Sequence, residues 1–400
     1  MAESMTETER RLPGVPRSAA ADGRREDPAL DARDAPGVTD ATGVTEADVS
    51  AGAHDGREAA ALLERTRALV DPELRAAVES LPKAMRRIAR YHFGWQHADG
   101  TPAAGNAGKA VRPALVLAAA DALGGATART AVARAAAAVE LVHNFTLLHD
   151  DVMDRDTTRR HRPTAWAVFG EPDAILAGDA LQALALRLLA EDPHPASARA
   201  AARLADCVVE LCEGQHTDVD LEGRAPAEVT LDEVLGMAEA KTGALLGCAC
   251  AIGALYAGAE EAEVAALDDF GRQVGLAFQL IDDVIGIWGD SRHTGKPVGA
   301  DLAARKKSLP VVAALTSGTP AAAELAERYA RPHRPQEAEA AEEIARTARL
   351  VEQAGGRDWA QAEAADRMAR AVQELARAVP DPQSADGLLA LAEFVTRRTG

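Results

Sequence analysis

Apolar residues recur with helical spacing from about residue 57 to the C-terminus. The pattern begins with Ala61, Leu62, Leu69 and Val70 and continues through long segments rich in Ala and Leu, as expected of amphipathic and buried helices. Clusters of Gly and Pro interrupt it and predict helix ends. The breaks fall at 124–125, 171–172, 192–193, 318–320, 331–335, 355–356 and 380–382. Few stretches alternate with the period of a strand, so we predict an all-α fold.

Residues 1–56 have a different character. They are rich in Ala, Gly, Asp, Glu, Arg, Thr and Pro, contain no aromatic residue and show no apolar periodicity. Such a segment buries too little apolar surface to offset the conformational entropy that is lost on folding. We therefore expect a disordered tail at 1–56 and one folded domain at 57–400. The tail is either a solubilising segment or a docking segment for a partner.

Composition supports the helical prediction and narrows the functional classes. Hydrophobic residues make up 47% of the chain and aromatic residues only 3%, so Ala, Leu and Val supply the core, and Ala and Leu favour helices. Asp and Glu number 62 against 44 Lys and Arg, a net charge of −18. This field repels phosphate, which argues against nucleic-acid or anionic-membrane binding. A phosphate group must be met locally, by clustered basic side chains or by a metal ion.

The cysteines indicate a reducing compartment. Cys207, Cys212, Cys248 and Cys250 form no zinc-type CxxC pair and lie in Ala- and Leu-rich helical sequence, so free thiols are favoured over disulfides. The N-terminus shows no basic-then-apolar signal peptide, and no charge-free run of about 18 apolar residues predicts a membrane span. We expect a cytoplasmic protein without a transmembrane segment.

Two pairs of adjacent aspartates lie in apolar helical sequence. Asp150, Asp151 and Asp154 follow the apolar stretch 141–148, and Asp150 and Asp154 share one helix face. Asp282 and Asp283 follow a second apolar stretch that begins near residue 274. One such pair also fits a helix cap or a surface patch. Two pairs in apolar helices instead predict facing carboxylates that hold Mg²⁺, which binds few protein carboxylates and takes further oxygens from water and phosphate.

Basic side chains surround these motifs in an otherwise acidic chain. Each would ordinarily be a solvated surface charge, but Arg and Lys are also the side chains that bind phosphate. The sequence places them in five clusters: Lys109 with Arg112, Arg159-Arg160, Lys241 beside Thr242, Lys296, and Arg305-Lys306-Lys307. Their occurrence together with two acidic motifs predicts a diphosphate site.

Together these segments resemble the trans-type isoprenyl diphosphate synthase family, which includes the farnesyl and geranylgeranyl diphosphate synthases. The resemblance runs from about Glu64 to the C-terminus. It rests on motifs in the expected order: DDVMD followed by RR, KTG, FQLIDD and GKPVGADLAARKKSLP. The family implies a polyprenyl synthetase catalytic domain at 57–400, an isoprenoid-synthase-type helical bundle around a central cavity, and a homodimer. It also implies about three Mg²⁺ ions per active site, which Mn²⁺ can replace.

The resemblance implies a role for each matching residue. The catalytic positions are Asp150, Asp151, Asp154, Asp282, Asp283 and Lys241. Those that match direct Mg²⁺ ligands are Asp150, Asp154 and Asp282. Those that match the isopentenyl diphosphate site are Lys109, Arg112, His143 and Arg160. Those that match contacts of the allylic diphosphate are Arg159, Lys241, Thr242, Gln279 and Lys296. His143 alone would suggest only a core histidine, and the surrounding pattern gives it this role.

The chain departs from the family pattern at two places. Gly286 stands where the second motif usually has a third Asp, which commonly acts through water, so we expect activity to be weakened at most. The usual Gly-Gly-Lys-Arg segment is reduced to Ala107-Gly108-Lys109-Ala110, which removes one neighbouring cation.

Product length in this family depends on the residues just before the first motif. Phe145 and Thr146 stand five and four residues before Asp150, and no insertion separates Asp151 from Asp154. An aromatic residue at only the first position resembles one class of C20 synthases. We therefore predict condensation of isopentenyl diphosphate with allylic diphosphates to geranylgeranyl diphosphate, with farnesyl diphosphate as the second candidate.

Two other functions remain open from sequence. A type I terpene cyclase shares the helical fold and the first acidic motif, but it carries an Asn/Ser/Glu metal motif in place of Asp282-Asp283 and has no need of Lys109 and Arg112. A regulatory subunit of a heteromeric synthase is a non-catalytic alternative, against which both acidic motifs argue. For the tail at 1–56, the partner would be a protein shell or a downstream enzyme.

Overall fold

Most of the described chain is helical. The computed structural model describes residues 46–103, 105, 108–124, 129–289, 298–331 and 341–397. Its helices are α1 (Glu46–Glu79), α2 (Lys83–His92), α3 (Val111–Ala122), α4 (Arg129–Met153), α5 (Ala165–Phe169), α6 (Glu171–Ala190), α7 (Ser197–Gly223), α8 (Leu231–Ala238), α9 (Ala244–Ala257), α10 (Glu261–Trp288), α11 (Ala300–Ala303), α12 (Leu309–Thr316), α13 (Pro320–Tyr329), α14 (Ala341–Gln353), α15 (Gly356–Ala378) and α16 (Pro382–Thr396). The predicted all-α fold is confirmed.

Three short elements complete the described part. A hairpin of β1 (Thr158–Arg159) and β2 (Arg162–Pro163) is antiparallel, with Thr158 opposite Pro163. A single 3₁₀ turn spans Pro226–Glu228. A π-helical turn at Glu239–Gly243 joins α8 to α9, and such turns are rare and are frequently found at functional sites.

A helix begins or ends at or close to each of the predicted Gly and Pro breaks. Helices α6, α13 and α16 each carry proline in the first turn, where its missing N–H is not needed. Thr319 and Asp381 cap α13 and α16 by accepting backbone N–H groups. At the other end of the chain, α1 begins at Glu46, inside the segment 1–56 that was expected to be a tail. The prediction for residues 1–45 lies outside the described residues.

The centre of the bundle is formed by α3, α4, α9 and α10. Every residue from 244 to 256 in α9 is buried, so this helix lies inside the core rather than on its surface. Helix α10 packs between α9 and α15, and α4 packs on α6. A Cβ atom on Gly275 of α10 would lie 2.7 Å from the Cα of Gly243. Glycine therefore allows α10 to lie directly against the π-helical turn.

Among the residues that the structure describes, two helical stretches are long and apolar enough to span a membrane by length and composition. They are Thr130–Met153 and Leu231–Ala257, and 72% and 83% of their apolar windows are buried inside the protein. Burial of this kind is what central helices of a packed bundle show, so these stretches are weak indications of a membrane span.

Candidate active site

The first acidic motif lies at the C-terminal end of α4. The N–H of Asp154 donates to the carbonyl of Asp150 at 2.8 Å, so the two residues lie one above the other on consecutive turns. Burial raises the pKa of Asp150 to about 6; Lys241 opposes the shift, and the Asp154 charge adds to it. Burial also raises the pKa of Asp154. These carboxylates therefore form a site that favours an added positive charge.

Asp151 has a different environment from its two neighbours. Its side chain is 1% exposed, and one carboxylate oxygen accepts a hydrogen bond from Arg159 Nε at 2.6 Å. Burial raises the pKa of Asp151, and Arg159 opposes that shift. Asp151 thus holds Arg159 in position beside the motif. Its sequence role as a catalytic carboxylate stays a prediction.

The second acidic motif lies near the C-terminal end of α10. Asp283 is buried, and its two oxygens accept hydrogen bonds from Gln279 Nε2 at 2.8 Å and from the N–H of Leu309 at 2.9 Å. Gln279 in turn accepts a hydrogen bond from Thr242 at 2.9 Å. Burial raises the pKa of Asp283 to about 6, opposed by Lys306. Hydrogen bonds therefore connect Thr242, Gln279 and Asp283 in one continuous series. Asp282 is half-buried, and its charge acts on Arg112.

Two lysines connect the acidic helices. Lys241 donates to Asp218 of α7 at 2.5 Å and acts on both carboxylates of the first motif. Burial disfavours the charge of Lys306, yet nearby carboxylates outweigh it and raise its pKa. In order of strength, these carboxylates are Asp283, Asp218, Asp301 and Asp154. Charges of α10 and of the end of α4 therefore both act on Lys306.

Sequence reasoning had assigned no role to Lys306, Asp218 or Asp301. The sequence places Lys306 in a basic cluster, but it does not predict which groups this side chain contacts. Asp218 follows Gly214-Gln215 in α7, and a polar face in that otherwise Ala- and Leu-rich helix was the available signal. No local pattern distinguishes Asp301, because its relevance depends on where α11 packs.

A third group of side chains gathers at α3 and the middle of α4. Arg112 Nη1 lies 3.2 Å from His143 Nε2. Burial and the Arg112 charge hold the pKa of His143 well below its ordinary value, so this imidazole is neutral. Below them Glu140 is 3% exposed and binds Asn144. Burial raises the pKa of Glu140 to about 7, against the opposing effect of Arg112. Glu140 therefore provides a buried carboxyl group beside the positively charged Arg112.

The remaining basic residues lie close to this cluster. A Cβ atom on Gly108 would meet the guanidinium of Arg160 at 2.7 Å, so Arg160 lies against the turn that precedes Lys109. The Lys109 ammonium stands 5.3 Å from the centre of the Phe394 ring. A cavity of about 210 Å³ is lined by Arg159, Arg160 and neighbouring side chains. Of the predicted site residues, Lys296 lies outside the described part of the chain.

The two predicted chain-length residues lie one turn before the first motif. Phe145 is buried and packs edge-on against His149, with ring centroids 4.8 Å apart. Thr146 is half-buried and donates to the carbonyl of His143 at 2.8 Å. Phe145 therefore belongs to the main core, and its effect on product length stays a prediction.

A buried imidazole beside the basic cluster predicts acid sensitivity. Burial lowers the pKa of His92 to about 3, with Arg160 and Arg159 adding to the effect. Because the unfolded state binds the extra proton below pH 6.5, stability is lost as the pH falls through this range. Between pH 7.5 and 5.5 we expect His92 to remove about 1.4 kcal/mol of unfolding free energy. Measured by urea unfolding, His92→Asn should lose about 1.4 kcal/mol less than the wild type between pH 7.5 and 5.5, because the other titrating groups contribute equally to both proteins.

The exposed His97 provides the control for that measurement. His97→Asn should retain the wild-type pH dependence, because this side chain lies in solvent outside the basic cluster. An equal pH dependence in the wild type and in His92→Asn would contradict the assignment of His92 as a neutral buried group.

The donors at the centre suit a hard divalent cation. Asp150 and Asp154 offer carboxylate oxygens in a region where burial disfavours uncompensated negative charge. In the described ranges, no group of three His, Cys, Asp or Glu side chains is arranged to hold a metal ion by itself. Mg²⁺ takes one or two protein carboxylates and completes its octahedron with water and phosphate oxygens. The residues therefore fit Mg²⁺ that arrives with a diphosphate.

The helical bundle, its two carboxylate-bearing helices and their basic neighbours define an enzyme of the isoprenyl synthase class. The chain belongs to the polyprenyl synthetase family, whose model matches residues 101–348. It is therefore a prenyltransferase, and the family and enzyme class predicted from the sequence are confirmed.

Curated relatives cover most of the chain. It is 51% identical over 339 residues to a geranylgeranyl diphosphate synthase of Mycobacterium tuberculosis. This alignment covers 84% of this chain and 93% of the relative. It is 44% identical over 331 residues to a (2E,6E)-farnesyl diphosphate synthase of the same species, with coverages of 82% and 90%.

Solved structures show the same fold. A polyprenyl synthetase from Streptomyces coelicolor A3(2) superposes with a TM-score of 0.79 at 46% identity, covering 84% of this chain and 98% of that one. A geranylgeranyl pyrophosphate synthase from Corynebacterium glutamicum, complexed with calcium and isoprenyl diphosphate, has a TM-score of 0.67 at 30% identity, with coverages of 85% and 97%.

Proposed function

We propose that this protein catalyses the Mg²⁺-dependent head-to-tail condensation of isopentenyl diphosphate with allylic diphosphates, and that its product is geranylgeranyl diphosphate. The observation that carries this proposal is the position of Lys306, whose charge interacts with Asp154 at the end of α4 and with Asp283 on α10. The relative at 51% identity supports the C20 product. The relative at 44% identity makes farnesyl diphosphate the second candidate.

The acidic centre is the proposed site for the allylic diphosphate. Asp150, Asp154 and Asp282 would hold Mg²⁺, which when bound neutralises the diphosphate and stabilises it as a leaving group. Mn²⁺ is expected to substitute. The remaining charge would be shared by Arg159, Lys241, Thr242, Gln279, Lys296 and Lys306. The hydrogen bonds that Arg159 donates to Asp151 and that Lys241 donates to Asp218 orient two of these groups in advance, which is how preorganised sites stabilise developing charge.

The basic group at α3 and α4 is the proposed site for isopentenyl diphosphate. Lys109, Arg112 and Arg160 would bind its diphosphate together with the neutral His143. Glu140 beneath Arg112 compensates part of the positive charge that gathers there when the site is empty of diphosphate. Separate sites for the two diphosphates would hold the reacting carbons together, and such positioning supplies a large part of the rate of a bimolecular step.

The chemistry then follows from the charge distribution. Cleavage of the allylic C–O bond releases the diphosphate, whose charge the lysines and Arg159 hold, and leaves an allylic carbocation. The double bond of isopentenyl diphosphate attacks this cation and forms the new C–C bond. Loss of a proton restores the alkene, and the departed diphosphate is the base. Buried apolar residues next to both motifs, such as Leu148 and Leu280, exclude water that would otherwise capture the cation.

Product analysis tests this proposal. Purified protein would be incubated with labelled isopentenyl diphosphate, Mg²⁺ and, in turn, dimethylallyl, geranyl or farnesyl diphosphate. Geranylgeranyl diphosphate from all three starters, abolished by chelation of the metal, is the expected result. Arrest at C15 would identify a farnesyl diphosphate synthase. A hydrocarbon formed from geranylgeranyl diphosphate alone would identify a terpene cyclase, and an inactive purified chain would favour a regulatory subunit.

Phe145 should limit the length of the product. In Phe145→Ala the ring that packs on His149 is removed, and we expect products longer than C20 because the growing chain gains space below the first motif. Chromatography of the dephosphorylated products would show the shift. Phe169→Ala is the matched control, since the Phe169 ring packs on Tyr91 rather than on His149. An unchanged product distribution in Phe145→Ala would refute the assignment.

We also propose a cytoplasmic homodimer. Large apolar side chains are exposed on α6 and α7, among them Leu176 at 53% and Val209 at 69%, and we propose that they form the dimer interface. Light scattering would measure the mass, and a monomer would refute the dimer.

For residues 1–56 we propose docking to a protein shell or to a downstream enzyme. Deletion of this segment with no change in co-purifying partners would count against docking.

A further inference from the structure

The two helices that carry the acidic motifs, α4 and α10, differ one turn after the first aspartate of each motif. On α4, carboxylates occur at positions 150 and 154, one turn apart on the same face. On α10, Asp282 is followed one turn later by Gly286, so this helix provides no side chain at the equivalent place. The space beside Gly286 is nevertheless filled. A Cβ atom on Gly286 would lie only 2.7 Å from the carboxyl carbon of Asp301 and closer still to its Oδ2 atom.

Asp301 reaches this place because of how α11 begins. Gly299 enters the short helix with φ of 73°, a left-handed conformation that glycine adopts without strain. The carbonyl of Asp301 accepts the N–H of Lys306 at 2.9 Å and closes the turn that follows α11. One short segment therefore delivers two side chains to the centre, the carboxylate of Asp301 and the ammonium of Lys306.

The electrostatics agree with this placement. The Asp301 carboxylate is among those that favour the charge of Lys306, and it also acts on Asp283 one helical turn before Gly286. Asp301 thus lies within the same charged centre as the motif on α10. A side chain at position 286 and the carboxylate of Asp301 cannot occupy this space together, since real Cβ atoms do not approach other heavy atoms so closely.

We propose that Asp301 supplies, from α11, the carboxylate that α10 lacks at position 286, and that Gly286 is the residue that admits it. Asp301 is then a positioning residue that accepts hydrogen bonds from metal-bound water and holds Lys306 toward the diphosphate. This inference rests on the proposed function, because it assigns Asp301 to the same Mg²⁺–diphosphate centre.

A reciprocal exchange of the two positions tests the inference. The variants are Asp301→Asn, Gly286→Asp, Asp301→Gly and the double variant Gly286→Asp with Asp301→Gly. Calorimetric titration with Mg²⁺ at a fixed concentration of inorganic diphosphate measures metal binding without turnover. Outer carboxylates of metal sites typically contribute about 10–100-fold to metal affinity, so we expect Asp301→Asn to weaken Mg²⁺ binding by about tenfold.

The double variant gives the decisive comparison. Gly286→Asp alone should weaken Mg²⁺ binding, because two carboxylates that overlap and repel each other displace one another from this space, and Asp301→Gly alone should weaken it by removing the carboxylate. Together they should restore affinity to within about threefold of the wild type, since one carboxylate again occupies the space. Wild-type affinity in Asp301→Asn, or a double variant weaker than either single one, would overturn the inference.

Two controls separate this inference from the proposed function and from misfolding. Asp301→Asn keeps the size of the side chain, so its thermal unfolding temperature should match that of the wild type within about 3 °C. If the wild-type protein neither binds Mg²⁺ with diphosphate nor forms a prenyl product, the proposed function fails. If the wild type does both and Asp301→Asn is indistinguishable from it, only the role of Asp301 fails.

Discussion

Replacement of Asp150 by Asn is expected to reduce the rate of prenyl transfer by about a thousandfold, equivalent to about 4 kcal/mol of transition-state stabilisation. The amide keeps the size of the side chain and removes the negative charge that would hold Mg²⁺. Initial rates with farnesyl diphosphate and labelled isopentenyl diphosphate, measured across a range of Mg²⁺ concentrations, would show the loss even at saturating metal.

Stability should move in the opposite direction to activity in Asp150→Asn. Burial raises the pKa of Asp150 to about 6, so at pH 8 the metal-free protein bears a charge that its surroundings disfavour. We expect the variant to unfold at the same temperature as the wild type or at a higher one. Asp206→Asn is the matched control, because Asp206 is exposed on α7 and should leave both activity and unfolding unchanged. Full activity in Asp150→Asn would exclude it as a metal ligand.

Replacement of Lys306 by Gln is expected to lower both activity and stability. The ammonium group compensates carboxylates from several elements, and its loss leaves them buried without that charge. We expect the condensation rate to fall by about a hundredfold and the unfolding free energy by about 1–3 kcal/mol. The fall in rate would be measured with all three allylic starters, since each brings the same diphosphate.

The adjacent Lys307 provides an internal comparison for Lys306. Its ammonium donates to the carbonyls of Leu221 and Glu222 at 2.8 and 3.0 Å, at the end of α7. Lys307→Gln should therefore lose some stability and retain activity within about threefold. Equal losses of activity in the two variants would show that Lys306 acts by supporting the fold rather than by charge at the centre.

The elements of this fold follow closely from local sequence. Gly and Pro end helices through backbone constraints that act within a few residues, and the predicted break at 380–382 corresponds to the interval between α15 and α16. The two acidic motifs were likewise visible, because carboxylates in apolar helices are unfavourable without a compensating charge. The start of α1 at Glu46, eleven residues before the predicted start of the domain at 57, has no comparable local signal in the sequence.

The parts of the site that were missed depend on tertiary packing. The sequence predicts Asp151 as a catalytic carboxylate beside the metal ligands Asp150 and Asp154, and only the packed structure shows it bound to Arg159. Lys306 and Asp301 lie far along the chain from the first motif, and no periodicity connects them to it. Gly286 appeared to be the loss of an acidic group, whereas the structure shows a neighbouring carboxylate in its space.

The irregular turn between α8 and α9 has a consequence for how the enzyme can change over evolution. A regular helix would make better backbone hydrogen bonds than the wider turn at Glu239–Gly243, yet this turn carries Lys241 to Asp218 and Thr242 to Gln279. Deleting one residue here would restore helical regularity and rotate every later residue of α9 relative to α8. Because α9 is buried on all sides, such a deletion would misplace an entire central helix. The number of residues in this turn is therefore constrained. Substitutions on the exposed faces of the outer helices are not constrained in this way.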